Sequence, residues 1–129
     1  MIKITLVLIV LSMTQLVQAG DLQVRVEVPA NAPHLSQWAE KGKKLMIQWY
    51  PQIVKILGVK EKKQKVRLII KKTEKGLAFA SGNKIVVASH RIEKNPEKLG
   101  LLIHELTHVV QAYPKGNGWL AEAIADYVR

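Results

Sequence analysis

Apolar and polar positions alternate from the start of the folded part of the chain. Leu22, Val24, Val26 and Val28 are separated by Gln23, Arg25 and Glu27. A period of two puts the four apolar side chains on one face and predicts a half-buried strand ending before Pro29. Asn31-Ala32-Pro33 reads as a turn. From Ser36 the period changes: Trp38, Ala39, Leu45, Met46 and Trp49 recur at the spacing of one helical face. The two tryptophans supply large apolar surfaces and read as core anchors. Pro51 kinks this helix or starts a second one, which carries Ile53, Ile56 and Leu57 to a stop at Gly58.

Residues 66–70 form a second predicted strand. Residues 76–80 and 84–88 read as a hairpin joined by Ser81-Gly82-Asn83, a turn containing a residue free to take positive φ. Asn95-Pro96 predicts a helix start, with Asn95 as cap, Pro96 at the first helical position and Glu97 in the first turn. Leu99, Leu102, Ile103, Leu106, Val109 and Val110 cover a broad face, so this helix is expected to be buried on most sides. Pro114 and Gly116 end it, and residues 119–129 begin another helix. The predicted order is β-α-β-β-β-α-α, an α+β domain without repeats or an interdomain linker.

The N-terminus has a different character. Lys3 precedes a nearly continuous apolar run over residues 4–11, and Val17-Gln18-Ala19 places small residues at the cleavage-determining positions. Residues 1–19 read as a secretory signal peptide, with an apolar run too short to span a bilayer. The expectation is secretion or delivery to a periplasm, with no stable membrane insertion after cleavage. Residues 20–129 then make one domain with a modest core. The chain has no cysteine, so disulfides contribute nothing and a cysteine-linked lipid anchor is excluded.

The formal net charge is +10. It is concentrated in residues 41–75, where twelve Lys and Arg, from Lys41 to Lys75, stand against Glu61 and Glu74. Such a surface suits anionic polymers of a wall or membrane as a partner, or serves as a solvated face that keeps the protein soluble. No aromatics interleave with the basic residues of 60–75, and no nucleic-acid partner is expected.

The chemistry is concentrated in His104-Glu105-Leu106-Thr107-His108. Histidines four apart on a helix point their imidazoles from one face toward one point and can bind one Zn2+. Glu105 is offset by about 100° and reaches beside the metal. A catalytic zinc keeps one position open for water, and Glu105 is placed to take its proton as general base. Glu122, at the start of the next helical pattern, is the favoured third ligand. Asp126, one turn on, then accepts a hydrogen bond from the free ring nitrogen of a ligand histidine. The competing assignment makes Asp126 the ligand and Glu122 the supporting group. Tyr113 and Tyr127 flank the site in sequence and are candidate oxyanion donors, although packing with a hydrogen-bonded hydroxyl explains each as well. His34 and His90 fall in predicted loop or strand-end positions and read as solvated.

The segment from His104 through Gln111, then Tyr113-Pro114, then Gly118-Trp119-Leu120-Ala121-Glu122-Ala123-Ile124-Ala125-Asp126, resembles the plant basic secretory protein family, which has bacterial members. Ser81-Gly82-Asn83 and Asn95-Pro96 fit the same pattern. The likeness covers residues 76–129. More broadly, HExxH followed by ExxxD is similar to the gluzincin metallopeptidases. It implies a zincin-like fold, a small mixed or antiparallel sheet packed on the HExxH helix, with a C-terminal part shorter than the family's. It also implies His104, His108 and Glu122 as ligands, Glu105 as base, and a peptide or protein substrate. In zincins an edge strand beside the cleft binds extended substrate, and residues 84–88 are the expected strand. The departures are Ala123, where many members have glycine, and a chain that stops at Arg129, where the family continues. The expected activity is zinc-dependent peptide hydrolysis. The alternative is a reduced, weakly active or inactive zincin scaffold that binds anionic polymers.

Overall fold

Four strands and four helices make up the described part of the chain, which in this computed structural model comprises residues 22–60, 63–74, 76, 78–112 and 118–129. The expected signal peptide, residues 1–19, lies outside the described residues, as does the side chain of Trp119. The order is β1 (Leu22–Glu27), α1 (Pro33–Leu57), β2 (Gln64–Lys71), β3 (Ala78–Ser81), β4 (Lys84–Ala88), α2 (Ser89–Lys94), α3 (Gly100–Gln111) and α4 (Gly118–Val128). The sheet is mixed, with strand order β1-β2-β4-β3. β1 and β2 run parallel with Val24 opposite Val66, β2 and β4 run parallel, and β3 returns antiparallel to β4.

The period-two pattern sets which face is dry. On β2, Val66, Leu68 and Ile70 are buried while Lys65, Arg67 and Lys71 are exposed. On β1, Leu22 and Val24 are buried and Gln23 and Arg25 face water. α1 packs over β1 and β2, α3 packs over β3 and β4, and the two helices pack on each other. The core between them contains Trp38, Met46, Ile53, Leu68, Ile85 and Leu102. Burial of such side chains, worth about 1.5–3 kcal/mol each, is the main source of stability in a chain without cysteine.

Several expectations are corrected. α1 starts at Pro33 and not at Ser36, because proline at the first helical turn needs no N–H acceptor and already has helical φ. It then runs through Pro51 as one helix to Gly58, whose φ of 66° is open to glycine without strain. Trp38 is buried, but Trp49 is only half-buried and Ile56 is exposed. Asn95 does not cap the HExxH helix. It ends the short α2, which was not foreseen, and α3 begins at Gly100. The reason is tertiary: the Trp38 indole N–H donates to the Pro96 carbonyl at 2.9 Å, and Lys98 N–H closes a turn onto Asn95 O. His34 lies in the first turn of α1, its Nε2 3.6 Å from a Glu93 carboxylate oxygen, and His90 lies in α2; both are exposed.

The hairpin joins β3 to β4 through Gly82 and Asn83, with Ser81 opposite Lys84. Gly82 has φ of 58°, the position where this kind of tight turn selects glycine. Residues 84–88 are not an edge strand. β4 pairs with β2 on one side and β3 on the other, which leaves β3 as the free edge beside α3.

Candidate metal centre

α3 delivers three groups of the HExxH motif and buries their surroundings. Leu102, Ile103, Leu106 and Val109 fix the helix in the core. His104 and His108, four residues apart, therefore emerge on one side with little freedom, their side chains 12% and 17% exposed. α4 packs against α3 with its Ala125 and Val128 buried, and presents Glu122 and Asp126 to the histidines.

His104 Nε2 and His108 Nε2 are 3.1 Å apart. Glu122 spans both: Oε1 is 2.7 Å from His108 Nε2 and Oε2 is 3.2 Å from His104 Nε2. Donor atoms on a tetrahedral zinc are about 3.4 Å apart when the bonds are near 2.1 Å, so each pair needs to spread by less than about 1 Å. The second ring nitrogens are held separately. Asp126 Oδ1 is 3.0 Å from His104 Nδ1, although it lies off the N–H axis and that buried nitrogen makes no aligned hydrogen bond. Gln111 Oε1 is 3.0 Å from His108 Nδ1, while Gln111 Nε2 donates to the Ala121 carbonyl at 3.2 Å.

The contacts at Nδ1 favour one tautomer of each ring. The Gln111 amide is oriented by Ala121, so its oxygen faces His108 and only an N–H at Nδ1 satisfies it. A carboxylate beside His104 Nδ1 likewise favours the proton on that nitrogen. Both Nε2 atoms are then lone pairs, facing each other and a carboxylate. Three acceptors aimed at one point repel unless a cation lies between them. His104, His108 and Glu122 are thus a group that could hold a metal ion, and the donor set of two imidazoles and one carboxylate is that of a zinc site with an open position. Glu122 is 61% exposed, so the open side faces solvent.

Glu105 lies beside this group, 9% exposed. Burial pushes its carboxyl above the usual range. His104 and His108 oppose that shift, Glu122 adds to it, and a hydrogen bond from the Ala80 backbone amide lowers it again. Ala80 is on β3, so the edge strand touches the catalytic candidate directly. Thr107, fully buried, donates to the Ile103 carbonyl at 2.7 Å and stabilises the same turn of α3.

The structure therefore brings His104, His108, Glu105, Glu122 and Asp126 together, with Glu122 at the Nε2 atoms and Asp126 at Nδ1 of His104. It does not bring in Tyr127, which is 82% exposed and lines neither adjoining cleft; Tyr113 lies outside the described residues. Gln111 and the Ala80 amide were missed. Gln111 had a readable signal, since it stands three residues after His108 and so shares its side of the helix. Ala80 had none, because strand order sets its proximity.

Comparison with protein families finds a similarity to the eCIS core domain, a bacterial family whose model matches residues 71–115. The matched stretch holds the β3–β4 hairpin, α2 and the whole HExxH helix, and stops before Glu122. It covers about a third of the chain. No link to the basic secretory proteins or to zincins accompanies that match. Neither the curated proteins nor the solved structures include a match to this chain.

Proposed function

We propose that the protein is an exported zinc-dependent metallopeptidase of zincin-like architecture. The observation that carries the reading is the convergence of His104 Nε2, His108 Nε2 and the Glu122 carboxylate, with a buried Glu105 alongside. Zinc held there would supply Lewis-acid polarisation of a scissile carbonyl and acidification of a water. Glu105 would be the group that accepts a proton from an attacking water and returns it to the leaving amine; a carboxyl whose proton affinity is raised by burial suits both roles. Gln111 holds the ring plane of His108 through Nδ1, and the Asp126 carboxylate stands beside Nδ1 of His104. The free edge of β3, next to Glu105, can accept an extended peptide as an added strand. That edge, antiparallel to β4 and packed on the HExxH helix, supports the zincin-like reading of the fold. Export rests on the pattern of residues 1–19.

The test is metal content and peptide hydrolysis in the mature protein, with a His104→Ala/His108→Ala variant and Glu105→Gln alongside. About one zinc per chain is expected, lost in the double histidine variant. Glu105→Gln should keep the zinc and lose at least 100-fold in kcat/KM. A wild type that takes up no zinc from excess metal removes the reading.

A second reading is carried by the outer surface. Lys65, Arg67 and Lys71 are exposed on β2, Arg25 stands opposite Arg67 in register, and Lys41, Lys44 and Lys55 are exposed on α1. This surface suits anionic wall or membrane polymers. Binding to such a polymer that weakens with salt yet survives Glu105→Gln supports a scaffold role.

A further inference from the structure

The two clefts on either side of the histidine pair differ in charge. Toward the C-terminal end of α3, a cleft of about 460 Å³ is bordered by Phe79, Ala80, His108, Gln111 and Glu122, and among the described residues no Lys or Arg lines it. Toward the N-terminal end, a cavity of about 800 Å³ is bordered by His104 and Glu105 and also by Arg91, Lys98 and Arg129. Ala78 and Glu105 line both, so the clefts meet at the edge strand and the proposed base.

Three cations around one cavity repel each other and need an explanation. Arg129 has a partial one, with its Nε 3.7 Å from Asp126 Oδ1. Arg91 and Lys98 have no acidic partner among the described residues. Arg91 is the more telling: it is half-buried at the border of the cavity, and its Nε is shielded from solvent with no hydrogen-bond acceptor among the described residues. A buried guanidinium N–H without a partner is unfavourable, and an anionic ligand in the cavity would offset that cost. The first turn of α3 adds to the field: Gly100 borders the same cavity, and no side chain caps that helix start.

We propose that this cavity is a carboxylate subsite of the peptidase cleft, with Arg91 as the specificity-determining residue and Lys98 and Arg129 reinforcing it. Arg91 offers a planar fork of donors that matches a carboxylate. The carboxylate comes from an acidic side chain of the substrate or from a free peptide C-terminus. This assignment rests on the cleft being the substrate site proposed above, yet it has its own readout.

The experiment uses the Glu105→Gln mature protein as a non-cleaving trap and measures binding of four fluorescent eight-residue Ala/Gly peptides. They carry one Glu or one Gln, each with a free or an amidated C-terminus. The expected result is at least tenfold tighter binding of one carboxylate-bearing member over its neutral counterpart, falling to within threefold in Arg91→Gln and recovering in part in Arg91→Lys. If Glu over Gln gives the difference, an acidic side chain is the source; if free acid over amide gives it, the peptide terminus is. Lys98→Gln, at an exposed position, should weaken the preference and keeps the test decisive if Arg91→Gln does not fold. No preference above twofold for either carboxylate overturns the proposal, as does a preference unchanged in both Arg91→Gln and Lys98→Gln. Parallel cleavage assays of the wild type separate the two ideas. Cleavage without any acidic or C-terminal preference overturns the subsite and leaves the peptidase. An Arg91-dependent binding preference without cleavage of any peptide overturns the peptidase and leaves the anion site.

Discussion

Gly42 sits in the middle of α1, a position where glycine should be a defect, and its replacement by alanine offers a quantitative test of how the site helix is seated. A Cβ at Gly42 would fall far inside van der Waals contact of Leu102 Cδ1, with Leu99 Cδ2 next at an ordinary 3.8 Å. Leu102 is fully buried on α3, two residues before His104, so its tip has little room to turn aside. Two effects oppose each other. Alanine is favoured over glycine in a helix interior by about 0.8–1.0 kcal/mol, while overpacking a close contact costs typically 1–3 kcal/mol. Gly42→Ala should therefore destabilise by roughly 0–2 kcal/mol. The sharper prediction is a change of sign. Leu102→Ala alone should cost about 2–5 kcal/mol, but it removes the atom that the new methyl meets. In that background Gly42→Ala should stabilise by about 1 kcal/mol, giving a coupling of roughly 1–3 kcal/mol. The assay is urea denaturation of the four proteins in the presence of a chelator, read by tryptophan fluorescence. Equal effects of Gly42→Ala in the two backgrounds, within about 0.5 kcal/mol, would refute the seating of α1 against α3 described here.

Other consequences are as specific. Zinc at a hundredfold excess over its dissociation constant should stabilise the domain by about 2.7 kcal/mol, a rise of roughly 10–20 °C in Tm; a chelator should reverse it, and His104→Ala/His108→Ala should abolish it. In hydrogen exchange the same removal should expose the amides of α4 before those of β2, since Glu122, the proposed ligand on α4, faces the histidines of α3. Gln111→Ala should weaken zinc about 10–100-fold at unchanged stoichiometry, measured by competition with a chromophoric chelator; a loss under threefold would contradict the role given to His108 Nδ1. Glu27 accepts two hydrogen bonds from Arg67, at 2.8 and 3.0 Å, and the bond holds its carboxyl below the usual 4.5. A depressed folded pKa gives stability that is present above the unfolded value and lost as pH falls through the folded one. Glu27→Gln should therefore be less stable than wild type at pH 7, with the difference shrinking below pH 4.5 in denaturation midpoints across pH.

The site could be read from the chain to the extent that it is helical. His104 and His108 are one turn apart, as are Glu122 and Asp126, and in each pair the spacing alone puts both groups on one face. What the spacing does not contain is the division of labour across helices. Glu122 meets the Nε2 atoms and Asp126 meets Nδ1 because α4 crosses α3 at a height set by the packing of Ala125 and Val128. The edge strand was misplaced for a related reason, although a signal existed. Ile85, Val86, Val87 and Ala88 are all buried, and a run without alternation marks an interior strand covered on both faces. Asn95-Pro96 obeyed the local rules of a helix start, and the hydrogen bond from Trp38, 58 positions away in sequence, overrode them. Arg91 carries no sequence pattern at all; only the fold brings it to the cavity beside His104.

The charge distribution ties these pieces together. The chain has twenty basic residues and only ten acidic ones, yet three of the ten, Glu105, Glu122 and Asp126, stand within one cluster around two histidines. A local excess of carboxylates lets a strongly basic protein attract a divalent cation at this point and repel it elsewhere. Beside the cluster the sign reverses, at Arg91, Lys98 and Arg129, which border the same cavity as His104 and Glu105. A metal bound to the cluster would neutralise much of the negative charge and leave the basic rim as the dominant field over the N-terminal side of the cleft. Metal loading would then strengthen the attraction for an anionic group at the same time as it completes the proposed catalytic set, so that both proposed roles of the site would depend on one ion.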